Sequence, residues 1–181
     1  MMVLMLVAQL VVQRVAMIGD SQAFLLQRHL QPLVLQQGHE WLAIPVPGSS
    51  VIMWAEPLAA RWDIRKQWAR LERWRPTTVL VVLGSNDAYM GCRTIANERP
   101  YFEVLRRRLN RIGGHTVWVG PPGLERRPQG LDCFYRQVPS PSYRLLDGRQ
   151  LQLTFWDDRL HPDAQGQARW AGWIFNLLEG G

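Results

Sequence analysis

Four short apolar runs, each closed by glycine or proline and the first three each followed by a stretch with helical spacing, constrain this chain more than any other feature. The runs are Arg14-Val-Ala-Met-Ile18 ending at Gly19, Trp41 to Val46 closed by Pro47-Gly48-Ser49-Ser50, Thr77 to Leu83 ending at Gly84, and His115 to Val119 closed by Gly120-Pro121-Pro122. Continuous apolar runs of this length read as strands buried on both faces, which is the habit of parallel sheets. β-Branched residues fill Thr77 to Leu83, making it the clearest strand. A fifth strand is expected over Gln150 to Phe155.

Helical spacing appears between the runs. Phe24, Leu25, Leu26 and Leu30 follow Ser21, and Pro32 is expected to stop that helix. Helical material from Val51 to Trp74 is expected to break at Pro57. Glu98 to Ile112 reads as a basic amphipathic helix stopped by Gly113-Gly114, and Pro162 to Leu178 as a final helix with Trp170, Trp173, Ile174, Leu177 and Leu178 on one stripe. Strands alternating with helices imply an α/β sandwich around a parallel sheet. Residues 123–149, rich in Pro, Gly and Arg, read as a loop with short helical turns flanking the site.

The 181 residues suit one domain, with residues 1–14 expected as an apolar N-terminal extension and 15–181 as the folded unit. The stretch MMVLMLVAQLVV has no basic start and no small-residue cleavage site, and it is shorter than the roughly 20 residues a bilayer span needs. It does not fix the compartment. An apolar fraction of 47% argues against disorder. The net charge of +6 comes almost wholly from arginine, Lys66 being the only lysine. No run has zinc-finger spacing and no basic helix is interleaved with aromatics, so the charge does not point to nucleic acid. Association with an anionic membrane surface through residues 1–12 and the arginines stays open. Cys92 and Cys133 lack metal-ligand spacing, and the sequence leaves both a single bridge and two free thiols open.

In open parallel sheets, ligands bind beyond the carboxyl ends of the strands. Asp20-Ser21, Gly48-Ser49, Gly84-Ser85-Asn86-Asp87 and Asp157-Asp158 each follow an expected strand, so the polar residues collect on one rim. Ser21 opens a helix with its hydroxyl exposed. His161 is the one histidine of four on that rim, three residues after Asp158, a spacing at which a carboxylate can hold Nδ1–H and turn Nε2 toward a serine. Asn86, Gly48 and the Ser21 amide are candidate donors to a developing oxyanion. Each residue also has an ordinary role: Ser21 as a helix cap, Asp158 as the cap of the last helix, Asn86 and Gly48 as turn residues. Order and placement together favour acyl transfer.

These residues resemble a known family. Gly19-Asp20-Ser21, Gly48, Gly84-x-Asn86-Asp87 and Asp158-x-x-His161-Pro162 are similar to the four diagnostic blocks of the SGNH hydrolases, or GDSL-like esterases and lipases, over about Val15 to Leu178. The resemblance implies a three-layer α/β/α sandwich with five parallel strands. It implies Ser21 as nucleophile and oxyanion donor, Gly48 and Asn86 as further oxyanion donors, His161 as base and Asp158 as its partner. It implies no metal and no organic cofactor. The family often has Leu or a small residue after Gly-Asp-Ser, where this chain has Gln22. The expected activity is hydrolysis of short acyl esters, with O-deacetylation of a glycan favoured. Lysophospholipase or thioesterase action, and a non-catalytic glycan-binding protein, are the alternatives. Trp54, Trp62, Trp68 and Trp74 could stack on sugars, though their spacing fits buried helix faces equally well.

Overall fold

A computed structural model describes residues 12–56, 62–124, 128–138 and 143–179. The strands are β1 (Arg14–Gly19), β2 (Glu40–Pro45), β3 (Thr78–Val82), β4 (His115–Val119) and β5 (Arg144–Leu146). They form one sheet in the order β2-β1-β3-β4-β5, and every pairing is parallel. The longer helices are α1 (Ser21–Gln36), α3 (Trp62–Trp74), α6 (Arg99–Ile112) and α8 (Ala164–Glu179). Short helices α2 (Val51–Ala55), α4 (Ser85–Ala88), α5 (Gly91–Asn97) and α7 (Leu131–Gln137) lie in the connections.

Strand alternation divides the core into two layers. Ala16 and Ile18 of β1 and Val79 and Val81 of β3 pack with Trp54, Ile64, Trp68, Leu105 and Phe134. Val15, Met17, Leu80 and Val82 face the other way, onto Leu26, Leu30 and Val34 of α1 and Trp170 and Ile174 of α8. Burial on both faces is why these strands read as uninterrupted apolar runs. The chain winds outward in opposite directions from β1 and β3, so a crevice opens where their carboxyl ends lie side by side.

Several expectations need correction. Pro32 lies inside α1, which runs on to Gln36. Val34 continues the buried stripe of Ala23, Leu26 and Leu30, and that packing outweighs one missing amide donor. Gln150 to Phe155 is not the fifth strand. The β4 edge is occupied by Arg144–Leu146, within the stretch read as loop. Residues 151–154 lie outside any strand, and Leu151 and Leu153 pack against the α1/α8 layer, which produced the misleading alternation. Trp54 and Trp68 are buried and packed edge-to-face, so neither can meet a sugar, and Trp74 is half-buried with the Arg14 guanidinium over its ring. Pro57, the side chain of Trp62 and residues 1–11 of the expected extension lie outside the described residues. The extension's other boundary, Arg14, is the first residue of β1. No helix among the described residues is long and apolar enough to cross a membrane.

Cys92 of α5 and Cys133 of α7 are joined in a disulfide, with their Cα atoms 5.3 Å apart. Gly19 is the tightest point of the crevice. A Cβ there would fall 2.1 Å from the Val82 carbonyl oxygen and 2.7 Å from the Ala23 Cβ. Backbone cannot yield as a flexible side chain can. Gly19→Ala should therefore cost about 1–3 kcal/mol of stability or more, read as a lower urea midpoint. An unchanged midpoint would contradict this packing.

Candidate active site

The turn after β1 is built around Asp20. Its Oδ1 accepts the Gln22 amide at 2.8 Å and its Oδ2 accepts the Ser85 hydroxyl at 2.6 Å. Asp20 is thus the cap of α1, the role that sequence reading offered to Ser21. Ser21 becomes the first helical residue, its hydroxyl released from capping. Its amide is among the four first-turn donors that have no partner within a helix.

His161 meets that hydroxyl. Nε2 lies 2.9 Å from Ser21 Oγ, and Nδ1 lies 2.7 Å from Asp158 Oδ2. Asp158 also accepts the Leu160 and His161 amides on Oδ1, each at 2.9 Å. Burial pushes the Asp158 carboxyl up, but the hydrogen bonds from the His161 amide and ring and the Leu160 amide hold it down at about 2. An ionised carboxylate only accepts, so Nδ1 must donate to it, and Nε2 of a neutral imidazole then accepts from Ser21. Asp158 does not cap the last helix. Asp163 Oδ1 accepts the Gly166 amide in its first turn instead.

The turn that carries the pair, Trp156 to His161, follows no strand. It is closed by an antiparallel bridge between Phe155 and Pro162 and by the Trp156 amide donating to the His161 carbonyl. Arg159 takes a left-handed backbone at φ 57° within it, a local strain of about 1–2 kcal/mol of the kind that gathers at working sites.

Two neighbouring side chains clamp the Gly48 turn. Asn86 Nδ2 donates to the Ser49 carbonyl at 2.8 Å, which leaves its second N–H for another acceptor. Asp87 Oδ1 accepts the Val51 amide at 3.0 Å, capping α2 from outside because Ser50 makes no side-chain cap. Ser49 Oγ donates to the Gly19 carbonyl and accepts from Trp54 Nε1. Gly48 has φ 76° and open space where a Cβ would be. Ser21, Gly48, Asn86, Asp158 and His161 therefore come from four separate segments on one rim. A cavity of about 640 Å³ at the amino ends of the strands, lined by Val15, Thr78, His115 and Phe175, contains none of them.

Sequence reading missed the acid layer beneath the rim. Asp20 and Asp87 are fully buried. Burial raises Asp20 to about 6 despite its bonds from Ser85 and Gln22. It raises Asp87 to about 7, with repulsion from Glu98 and Asp20 adding to the effect. Both letters were visible in Gly-Asp-Ser and Asn-Asp, but burial is not a local property. Trp156 was also missed. It is 43% exposed, and its ring centroid lies 6.4 Å from that of His161. Among the described residues, no group of three or more His, Cys, Asp or Glu is placed to hold a metal ion.

The architecture and rim define a parallel α/β/α sandwich with a serine, histidine and aspartate in hydrogen-bonded sequence. The chain has the fold of the SGNH hydrolases. It is similar to a Slackia heliotrinireducens protein assigned to those hydrolases, with a TM-score of 0.73 at 13% identity, covering 93% of this chain and 100% of that one. An esterase active on acetylated mannans, a two-domain protein, aligns with a TM-score of 0.66 at 14% identity over 93% of this chain and 49% of its own. The C-terminal catalytic domain of Streptococcus pneumoniae peptidoglycan O-acetyltransferase A aligns with a TM-score of 0.63 at 16% identity over 94% of both chains. No protein-family model matches the chain, and no curated protein matches it.

The raised carboxyls have a signed consequence. Between about pH 4 and 7 the unfolded chain releases protons that Asp20 and Asp87 retain when folded, so these groups lower stability as pH rises through that window. Asp158 acts oppositely, its contribution being present above about pH 4 and lost as pH falls toward 2, and its exposure keeps that contribution small. Asp87→Asn keeps the acceptor for Val51 and removes the ionisation. The loss of stability between pH 5 and pH 8, read from urea midpoints, should be smaller in Asp87→Asn than in the parent. An equal loss would contradict the assignment.

Proposed function

We propose that this chain is a serine esterase of the SGNH type that hydrolyses short acyl esters. The observation that carries the reading is the unbroken chain from Ser21 Oγ through His161 Nε2 and Nδ1 to Asp158 Oδ2, at 2.9 and 2.7 Å. Ser21 Oγ attacks the ester carbonyl as His161 Nε2 takes its proton, and Asp158 stabilises the imidazolium. The negative charge on the carbonyl oxygen is met by the Ser21 and Gly48 amides and the free N–H of Asn86. Collapse expels the alcohol, which takes the proton from His161, and leaves an acyl-serine. Water then attacks that acyl group, giving its proton to His161. The acid departs as Ser21 regains the proton.

An acetylated glycan is the favoured substrate. Trp156 offers an exposed aromatic face beside His161, suited to stacking on a sugar ring. Two proteins of similar fold are named for acetyl chemistry on glycans. The reading as a non-catalytic binding protein has no observation in its favour.

Ser21→Ala should abolish turnover of p-nitrophenyl acetate and labelling by a fluorophosphonate, and unchanged turnover would sink the reading. Asn86→Ala should lower kcat by about 10²–10³-fold, the usual effect of losing one oxyanion donor. Across nitrophenyl esters, acetate should exceed octanoate. The reverse order would favour lysophospholipase or thioesterase action.

A further inference from the structure

The turn that holds His161 is fixed in shape by its own bonds, but those bonds do not place it relative to Ser21. The amides of Trp156 and Arg159 bond within the turn, and those of Leu160 and His161 go to Asp158. A strand ladder, which would normally register one segment against another, is absent from Trp156 to His161.

Two buried glutamines bond to this turn, one from α1 and one from α8. Gln22 is 2% exposed, and its Nε2 donates to the Leu160 carbonyl at 2.9 Å. Gln167 of α8 is 1% exposed, and its Nε2 donates to the Pro162 carbonyl. Its Oε1 accepts from Arg28 of α1 at 3.1 Å from Nε and 2.7 Å from Nη2. The orientation of both carboxamides follows from their partners. A carbonyl can only accept and a guanidinium can only donate. The carbonyls on either side of His161 are thus tied to the helix that begins with Ser21. One tie is direct, and the other passes through Gln167 and Arg28.

We infer that Gln22 and Gln167 are positioning residues that set the His161 imidazole against the Ser21 hydroxyl by holding the two flanking carbonyls. The Oε1 of Gln22 supports a role beyond filling space. It is buried without a partner among the described residues, a cost that an apolar side chain of equal length would not carry. Against that cost stands the bond to Leu160. A misplacement of about 1 Å between reacting groups can cost 10²-fold in rate, so a turn without a ladder needs such ties.

The inference rests on the serine-esterase reading, and the test separates the two. Gln22→Met keeps length and volume but removes the donor. With p-nitrophenyl acetate, kcat should fall roughly tenfold with KM within about twofold, since the substrate contacts are untouched. The thermal midpoint should change little, because the orphaned oxygen is removed together with the bond to Leu160. The downfield proton resonance of the His161 Nδ1–H···Asp158 bond should broaden or vanish in the variant. Parent-like kcat together with a parent-like resonance would overturn the inference. If Gln22→Met does not fold, Gln167→Met meets the same criteria from the other side. If the parent protein neither turns over esters nor labels at Ser21, the esterase reading fails, and the imidazole resonance alone still decides whether the glutamines position the ring.

Discussion

With its carboxyl sealed between the start of α1 and the start of α4, Asp20 joins the exits of the neighbouring strands β1 and β3. Its acceptance of the Gln22 amide starts the helix, and its acceptance of the Ser85 hydroxyl holds the β3 exit beside it. Because Asp20 takes the capping role, Ser21 is left with a hydroxyl that has no structural duty. The close approach of Gly19 to the Val82 carbonyl and the Asp20 amide bond to the same oxygen make this joint possible. The rest of the rim is hung from it. Asn86 and Asp87 follow Ser85 and clamp the Gly48 turn, and Gln22 follows Ser21 and reaches the histidine turn.

The site is electrostatically layered. Above, an exposed carboxylate is held ionised by hydrogen bonds and faces the imidazole. Below, burial pushes Asp20 and Asp87 up, and repulsion from Glu98 and Asp20 adds to the rise at Asp87. Three carboxyl groups of one chemistry are thus held in two different states. The charged one accepts the Nδ1–H of His161 and fixes the orientation of the ring. The buried ones hold their protons to higher pH than an exposed carboxyl would, so less negative charge is fixed beneath the rim.

The first four strands were legible because burial on both faces leaves a continuous apolar run that needs no knowledge of partners. The fifth was not, because three residues flanked by Pro, Gly and Arg carry too little pattern, while the half-buried alternation of Leu151 and Leu153 imitated a strand. Ser21, Asn86 and His161 could be placed because each follows a glycine- or turn-marked end in a fixed order. Who caps α1, and what holds the histidine turn, could not be read. Gln22 meets Leu160 across 138 positions, and Arg28 meets Gln167 across 139. Gln22 was visible only as a departure from the family's usual residue. The tryptophan pattern was ambiguous in principle, since burial and sugar stacking ask for the same residue at the same spacing, and only the fold separated Trp54 and Trp68 from Trp156.

Ser21 and His161 are 140 positions apart, and the helices that bring them together, α1 and α8, pack on one face of the sheet near opposite ends of the described chain. This hydrogen-bonded pair therefore has the longest loop to close of any in the site. No partly folded form that lacks the docking of α8 can hold it. Any activity that depends on this pair would then arrive as the closing event of chain collapse, and its appearance during refolding would report the whole molecule rather than any one segment of it.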